Sequence, residues 1–288
     1  MTSGSGPPRP WRDLLVEVTA VLGSAQEATW MAVEASGYDR TQLLARLDEA
    51  VPARAGAHLS AMVARRCAGE PLQYVLGRWP FRQLELFVDR RVLIPRPETE
   101  EVVEWALEEV GRAPGPDRRL RVADLGTGSG AIALSLAVEL RAEVWATDVS
   151  ADALDVARAN LAGIGMWAAP LVRLVQGSWW DALPGELQGG FDLVVANPPY
   201  VGAGEQLPAV VADWEPELAL RAGPDGLDAL RRLIPGAASW LVAGGVLVVE
   251  HAPHQAGAAA ALARAAGAVR TAVRTDAQGR HRALVAHW

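Results

Sequence analysis

From residue 121 to the end of the chain, short apolar runs alternate with longer segments whose apolar residues recur every three or four positions. The short runs are typical of buried strands and the longer segments of helices. Strands joined through helices pair in parallel, so this alternation predicts an α/β fold with a mainly parallel sheet covered on both faces. The last two runs, VRTAVRTD and HRALVAHW, have no helix between them and predict an antiparallel edge.

The first part of the chain has a different pattern. Residues 11–68 carry apolar positions at helical spacing, interrupted by Gly37 and Pro52, and predict a small helical domain. In the next segment, LELFV and RRVLI alternate like two short strands of a hairpin, and a helix is expected over Glu98 to Val110. We therefore expect a helical domain over residues 1–77, a hairpin linker over 78–96 and an α/β domain over 97–288. Residues 111–119 are expected to form a solvated turn and residues 1–10 to lack order.

Composition limits the classes of protein to consider. Half of the 288 residues are apolar, which is enough for one sizeable domain and a smaller one. No apolar run approaches the roughly 20 residues of a membrane span, and the start, MTSGSGPPRPWRD, lacks the pattern of a secretory signal. We therefore expect a cytoplasmic protein. Its single cysteine, Cys67, is interpreted as a small buried apolar side chain, and no spacing of Cys or His suggests a metal site.

The charge balance of the chain limits the kinds of partner that it can bind. The net charge is −7, and all 27 basic residues are arginine. Because affinity for nucleic acid depends mainly on cationic side chains that neutralise phosphates, an acidic chain without long basic runs is a poor candidate for stable duplex binding. A protein or a small molecule is the favoured substrate.

A glycine-rich segment, ADLGTGSGAIAL, lies between a predicted strand and a predicted helix. Glycines are needed where a ligand contacts backbone or where φ is positive, and ligands of parallel sheets bind beyond the carboxyl ends of the strands. The segment predicts a nucleotide-like cofactor against Gly126, Thr127, Gly128, Ser129 and Gly130. The alternative is a tight turn without a ligand.

Two acidic residues refine this prediction. Asp148 ends the next strand, where a carboxylate can accept both hydroxyls of a ribose; the alternative role is an N-cap for the following helix, although Ser150 and Asp152 could also serve there. Asp124 precedes the glycines, and a carboxylate there would repel a pyrophosphate. It suits a cofactor that carries an amino group and a sulfonium.

The segment VVANPPYVG places Asn197, Pro198, Pro199 and Tyr200 directly after an apolar strand. Proline donates nothing to a sheet and keeps the preceding residue out of the helical region. Asn197 is therefore expected in a short stiff loop that presents its oxygens outward as acceptors for a planar amide. The alternative is a simple turn covered by a tyrosine.

These motifs together resemble a known family. DLGTGSG, the strand-end Asp148 and NPPY look like a class I methyltransferase that uses S-adenosylmethionine and methylates amino nitrogens. More narrowly, LIPRPETE, GSWWDAL, NPPYV, WEPELALRAGPDGLD and GGVLVVEH resemble the release-factor glutamine methyltransferase family, PrmC, also called HemK. NPPY alone is shared with DNA adenine methyltransferases. The resemblance implies a Rossmann-like seven-stranded sheet with an antiparallel edge, a helical N-terminal domain and a hairpin between them.

The resemblance also implies roles for single residues. The Asn197 side-chain oxygen and the Pro198 carbonyl would accept the two amide hydrogens, and the Tyr200 ring would pack against the amide. Asp124 would lie near the methionine amino group, and Gly126 to Gly130 would line the cofactor. Trp179 would flank the adenine, although it could instead be a core aromatic. Some relatives carry an acid just before this tryptophan, whereas this chain has Ser178.

The activity implied by the resemblance is methyl transfer from S-adenosylmethionine, which leaves as S-adenosylhomocysteine, to the glutamine of the Gly-Gly-Gln loop of class 1 peptide chain release factors. The alternatives are a ribosomal-protein glutamine, adenine N6 in nucleic acid, and a cofactor-binding adaptor without activity. We expect a monomer without membrane contact. Arg96 and Glu98 either line the entrance to the site or form a surface salt bridge.

Overall fold

The computed structural model describes residues 9–110 and 118–288. Most of the segments expected to lack order or to form a solvated turn, residues 1–10 and 111–119, lie outside these ranges. The chain divides into two compact units, Met1–Arg78 and Trp79–Trp288.

The first unit is helical. Its helices are α1 (Trp11–Leu22), α2 (Ala25–Ser36), α3 (Arg40–Ala45), α4 (Ala53–Cys67) and α5 (Leu72–Leu76). Local sequence explains their ends, because Gly37 terminates α2 at φ 72° and Asp39 forms a capping box with Gln42 at the start of α3. Trp11, Met31, Leu43, Leu59 and Met62 form the centre of its core.

Cys67 departs from its expected position. It is exposed, whereas the sequence suggested burial. The reason is helical phase: α4 buries Ala55, Leu59 and Met62, and a residue five positions after Met62 lies off that stripe.

The hairpin forms from a different pair of segments than expected. Strand β1 (Arg78–Phe81) pairs with β2 (Leu84–Phe87), so LELF takes RWPF as its partner. RRVLI is not a strand. Asp89 causes this, because its carboxylate accepts the Arg91 backbone N–H at 3.0 Å and its carbonyl accepts the Val92 N–H at 3.1 Å, which turns the chain.

The rest of the second unit is a doubly wound sheet. Its strands are β3 (Arg121–Leu125), β4 (Glu143–Asp148), β5 (Val172–Gln176), β6 (Phe191–Ala196), β7 (Leu241–Glu250), β8 (Arg270–Thr275) and β9 (His281–His287). Its helices are α6 (Pro97–Val110), α7 (Ala131–Leu140), α8 (Ala151–Gly163), α9 (Ala209–Ala212), α10 (Asp228–Trp240) and α11 (Ala256–Ala265).

The seven strands are ordered β5-β4-β3-β6-β7-β9-β8. The pairs from β5 to β7 are parallel, and β9 is antiparallel to both β7 and β8. This confirms the predicted parallel sheet with an antiparallel edge.

Register brings the predicted site segments to one edge of the sheet. Leu125 pairs with Thr147, and Ala196 pairs with Val249. Each of these residues is the last or next-to-last of its strand, so the glycine loop, Asp148, Asn197 and Glu250 follow at the same carboxyl edge. This is where ligands of open parallel sheets bind.

One face of the sheet packs against α10 and α11 around two tryptophans. The Trp180 and Trp240 rings stack with centroids 5.9 Å apart, and Trp180 Nε1 donates to the Leu233 carbonyl at 3.1 Å. Gly236 leaves room for this contact, since a Cβ there would lie 2.6 Å from Trp180 Cδ1. None of the helices in the described ranges combines the length and hydropathy that a membrane span requires.

This packing predicts that Gly236→Ala destabilises the protein by about 1–3 kcal/mol, because overpacking displaces the Trp180 indole. Gly257→Ala is the matched control. It is also helical and a Cβ there meets nothing within 4 Å, so higher helix propensity should leave stability equal or raise it by up to about 1 kcal/mol. Urea denaturation measures both. Equal midpoints for the two variants would contradict this account of the core.

Candidate active site

A cavity of about 440 Å³ opens at the carboxyl edge of the sheet in the second unit. Its wall includes eight of the residues predicted to form the site: Gly126, Thr127, Gly128, Ser129, Asp148, Trp179, Asn197 and Pro199. Within the described residues, Asp124, Gly130, Pro198 and Tyr200 are not part of this wall. Asp124 and Pro198 are buried next to it, and Tyr200 is half-buried.

Asp124 holds the glycine loop in place through hydrogen bonds. Its Oδ2 accepts the Thr127 hydroxyl at 2.6 Å and the Ala133 backbone N–H at 3.0 Å. The second bond satisfies a free N–H in the first turn of α7, where a negative charge is favourable. Burial raises the pKa of Asp124 to about 7, although both hydrogen bonds act to lower it. Its Oδ1 is buried without a hydrogen-bond partner among the described residues.

Asp148 connects the ends of two strands. Its Oδ2 accepts the Gly128 N–H and its Oδ1 accepts the Ser150 N–H, both at 2.9 Å. Burial raises the pKa of this carboxyl group, while the backbone hydrogen bonds oppose the rise. The N-cap of α8 is Ser150, which accepts the Ala153 N–H at 3.1 Å. The alternative role of Asp148 as a cap is therefore wrong, and Asp148 lines the cavity.

Trp179 lies between the cavity and the core. It packs against the core cluster that contains Trp180 and also lines the cavity. Its φ of 50° is unusual for a bulky residue. Gly126 leaves room for the Trp179 ring, because a Cβ at residue 126 would lie only 3.0 Å from Trp179 Cζ3. Gly126 also has φ 80°, a backbone conformation that favours glycine. The two interpretations of Trp179 are thus compatible.

A chain of side-chain hydrogen bonds holds Asn197. Its Nδ2 donates to Thr99 Oγ1 at 3.0 Å, and Thr99 Oγ1 donates to Glu250 Oε2 at 2.8 Å. Thr99 and Glu250 are both buried. Burial raises the pKa of Glu250 to about 7, against the influence of Thr99 and Arg282.

The segment after Asn197 is anchored to residues 220–226 and to Gln255. Val201 forms a parallel bridge with Arg221, and Arg221 Nη1 donates to the Gly202 carbonyl at 2.6 Å. Gln255 Nε2 donates to the carbonyls of Tyr200 at 2.9 Å and Gly226 at 3.0 Å. Gly226 has φ 75°, and a Cβ there would lie 2.8 Å from Gln255 Nε2 and closer still to the Tyr200 carbonyl. Prolines and anchors together make this loop stiff.

The IPRPETE segment is held by a buried glutamate. Glu215 Oε2 accepts the Ile94 N–H at 3.2 Å, and its Oε1 accepts Arg96 Nη2 at 2.6 Å. The suggested pair of Arg96 with Glu98 is therefore wrong, because Glu98 instead contacts Arg280 at 3.2 Å. Arg96 itself lines the cavity.

Sequence reasoning missed three residues that support the site: Thr99, Arg221 and Gln255. The first two lie in the motifs that carry the family resemblance, which was the available signal. Gln255 had no such signal. His251 is fully buried with its Nδ1 2.9 Å from the Ala252 carbonyl, and burial lowers its pKa. Among the described residues, no cluster of His, Cys, Asp or Glu could hold a metal ion.

Two family models match the chain in sequence. Residues 13–77 match the PrmC N-terminal domain, and residues 112–213 match the methyltransferase small domain.

Curated relatives extend these matches over most of the chain. A release factor glutamine methyltransferase of Moorella thermoacetica is 48% identical over 253 residues, which cover 86% of each chain. The Deinococcus radiodurans protein of the same name is 40% identical over 279 residues, or 94% of this chain and 96% of the relative.

This chain belongs to the release factor glutamine methyltransferase family. Solved structures agree on the fold. The N-terminal domain of human METTL16 aligns with a TM-score of 0.55 at 18% identity, covering 90% of this chain and 92% of that one. A Pyrococcus furiosus methyltransferase aligns with a TM-score of 0.51 at 17% identity, covering 79% and 98%.

The buried Asp124 of this family member predicts a pH dependence of stability. Its pKa is about 7 in the folded chain against an ordinary value of 3.8, so the folded chain binds more protons between these values. The free energy of unfolding therefore falls as pH rises through this window. The difference corresponds to at most roughly 4 kcal/mol.

Asp124→Asn should lack this component, because its amide does not titrate and its oxygen still accepts from Thr127. Urea denaturation of both proteins from pH 4 to 8 measures the difference. Glu250 titrates in both proteins and so cancels in the comparison. The same loss of stability in wild type and Asp124→Asn would contradict the prediction.

Proposed function

We propose that this protein transfers a methyl group from S-adenosylmethionine to the side-chain amide nitrogen, N5, of the glutamine in the Gly-Gly-Gln loop of class 1 peptide chain release factors. The observation that carries the proposal is the placement of Asn197. Asn197 lies on a stiff loop and forms part of the wall of the cavity that the glycine loop and Asp148 also line. Membership of a family named for this reaction supports it.

The residues of the cavity fit the cofactor. Asp148 keeps lone pairs on both carboxylate oxygens beyond its two backbone bonds, and these can accept the ribose hydroxyls. Gly126 and Gly128 have no side chains to block the approach of the ligand to backbone. Trp179 offers an aromatic face for adenine. When bound, S-adenosylmethionine supplies an electrophilic methyl group on a sulfonium sulfur and leaves as S-adenosylhomocysteine.

Asn197 and Pro198 then act on the substrate. An amide nitrogen is a poor nucleophile because its lone pair is delocalised into the carbonyl. Asn197 Oδ1 and the Pro198 carbonyl accept its two hydrogens, which favours electron density on nitrogen and holds the lone pair toward the methyl carbon. Such orientation contributes up to roughly 7–11 kcal/mol. Formation of the N–C bond would break the bond between the methyl group and the sulfonium sulfur, and the methylated nitrogen would then release one proton to water or to a backbone carbonyl. The Tyr200 ring, which follows the two prolines beside the cavity wall, would pack against the flat amide and exclude water.

The helical domain is proposed to bind the release factor. Its described helices expose the apolar side chains of Val16, Val21 and Leu44, which are 67%, 55% and 53% exposed. An acidic net charge does not favour adenine in nucleic acid as the substrate.

A labelling experiment tests the function. The pure protein, given S-adenosylmethionine with a labelled methyl group, should label a class 1 release factor at the loop glutamine and should not label the same factor with that glutamine replaced by alanine. Mass spectrometry of the loop peptide locates the label. Label in both factors, or label in DNA alone, would refute the proposal.

Two substitutions should separate chemistry from cofactor binding. Asn197→Ala should leave cofactor affinity nearly unchanged and lower kcat by about 10²–10³, the usual cost of losing one preorganised polar group. Asp148→Ala should instead weaken the cofactor, because the ribose acceptor and two loop bonds are lost.

Isothermal calorimetry and single-turnover kinetics distinguish the two effects. Asp152→Ala is the matched control for Asp148→Ala, since Asp152 is an exposed acid in the first turn of α8 and should change neither quantity. Normal turnover by Asn197→Ala would remove the proposed role of its amide.

A further inference from the structure

The Asn197–Thr99–Glu250 chain determines which end of the Asn197 amide faces the cavity. A threonine hydroxyl has one hydrogen, and an ionised carboxylate only accepts hydrogen bonds. With Glu250 ionised, the Thr99 hydrogen points to Glu250 Oε2 at 2.8 Å, and only lone pairs remain for Asn197. The Asn197 NH2 group therefore faces Thr99. No hydrogen bond to Asn197 Oδ1 is formed within the part of the chain that the structure describes.

We propose that Thr99 and Glu250 are positioning residues that keep the Asn197 side-chain oxygen toward the substrate, so that the amide of the substrate meets an acceptor and not a second NH2 group. The inference rests on the proposed function, because it assigns Asn197 Oδ1 to the substrate nitrogen. Neither residue needs to touch the substrate to have this effect.

Protonation of Glu250 allows the hydrogen bonds of the chain to reverse. A neutral carboxyl group has a hydrogen to donate, and when it donates this hydrogen to Thr99 Oγ1, the Thr99 hydrogen becomes free for Asn197 Oδ1. The side-chain amide of Asn197 would then flip by about 180°. The flip places its NH2 group toward the cavity and removes Asn197 Oδ1 as the acceptor for the substrate amide. Because burial raises the pKa of Glu250 to about 7, this reversal falls at an accessible pH, and the productive orientation is the one at higher pH.

Other charged groups near Glu250 set this equilibrium. Arg282 on β9 and Arg96 before α6 favour the ionised form, whereas Glu98 on α6 opposes it. Tyr200 in the adjacent loop has its own pKa raised to about 12 and stays neutral. The neighbouring His251 has its pKa lowered by burial, so it is neutral near pH 7.

The first test does not depend on activity. In 15N-labelled protein without substrate, the side-chain NH2 resonances of Asn197, assigned by their loss in Asn197→Ala, should shift with a midpoint near pH 7. Thr99→Val should abolish this titration and Thr99→Ser should keep it, because serine retains the hydroxyl. Resonances that titrate equally in Thr99→Val would overturn the inference, as would resonances that do not titrate in wild type.

The second test is kinetic. Thr99→Val should lower kcat on the release factor about tenfold at pH 8 with unchanged cofactor affinity, and it should remove the acidic limb of the kcat profile near pH 7. Thr99→Ser should retain at least a third of wild-type kcat. Thr147→Val is the matched control, since Thr147 is also fully buried but its hydroxyl has no hydrogen-bond partner among the described residues; its kcat should match wild type.

The outcomes separate the two proposals. An active wild type with Thr99→Val no slower than Thr147→Val overturns the positioning role alone. A serine variant as slow as the valine variant also overturns it, because the hydroxyl would then be irrelevant. Absence of label in the wild-type reaction overturns the proposed function, and the resonance titration then still decides whether the Thr99–Glu250 chain turns the amide.

Discussion

The parallel pairing of β3 with β4 and β6 is the constraint on which the site depends. Because Leu125 lies beside Thr147 and Asp124 beside Val195, three loops that are far apart in sequence leave the sheet at one level. The register of the strands therefore brings the glycine loop, Asp148 and Asn197 close together. A shift of one residue in any of these pairs would turn a loop residue toward the opposite face.

Stiffness around Asn197 comes from several independent contacts. The prolines limit the backbone torsions, Gln255 holds the Tyr200 carbonyl, and Arg221 holds the Gly202 carbonyl. An acceptor that does not move when the substrate amide arrives requires little reorganisation during the reaction. These hydrogen bonds therefore have two effects. They satisfy the backbone carbonyls of the loop, and they fix the position of the Asn197 amide.

Local patterns in the sequence were sufficient for the sheet, the glycine loop and the position of Asn197, because each depends on neighbouring residues or on strand order. The prediction was wrong for the RRVLI segment. Its alternating apolar residues imitate a strand, but Val92 and Ile94 are buried in an irregular segment that follows a turn made by Asp89. Glu215 was not predictable as the partner of Arg96, which is 119 positions away. Thr99 and Glu250 are 151 positions apart. Such pairs follow from tertiary packing, and single-sequence periodicity carries no information about them.

The buried carboxyl group of Glu250 gives the strongest physical reason to look for a purpose beyond folding. Burial makes its ionised form costly, as its raised pKa shows, and an apolar side chain at the end of β7 would avoid that cost. A hydrogen-bond acceptor at this point does what no apolar side chain can do, because it directs the Thr99 hydrogen and hence the polarity of Asn197. The destabilising charge and the orientation of the amide are therefore two consequences of one side chain.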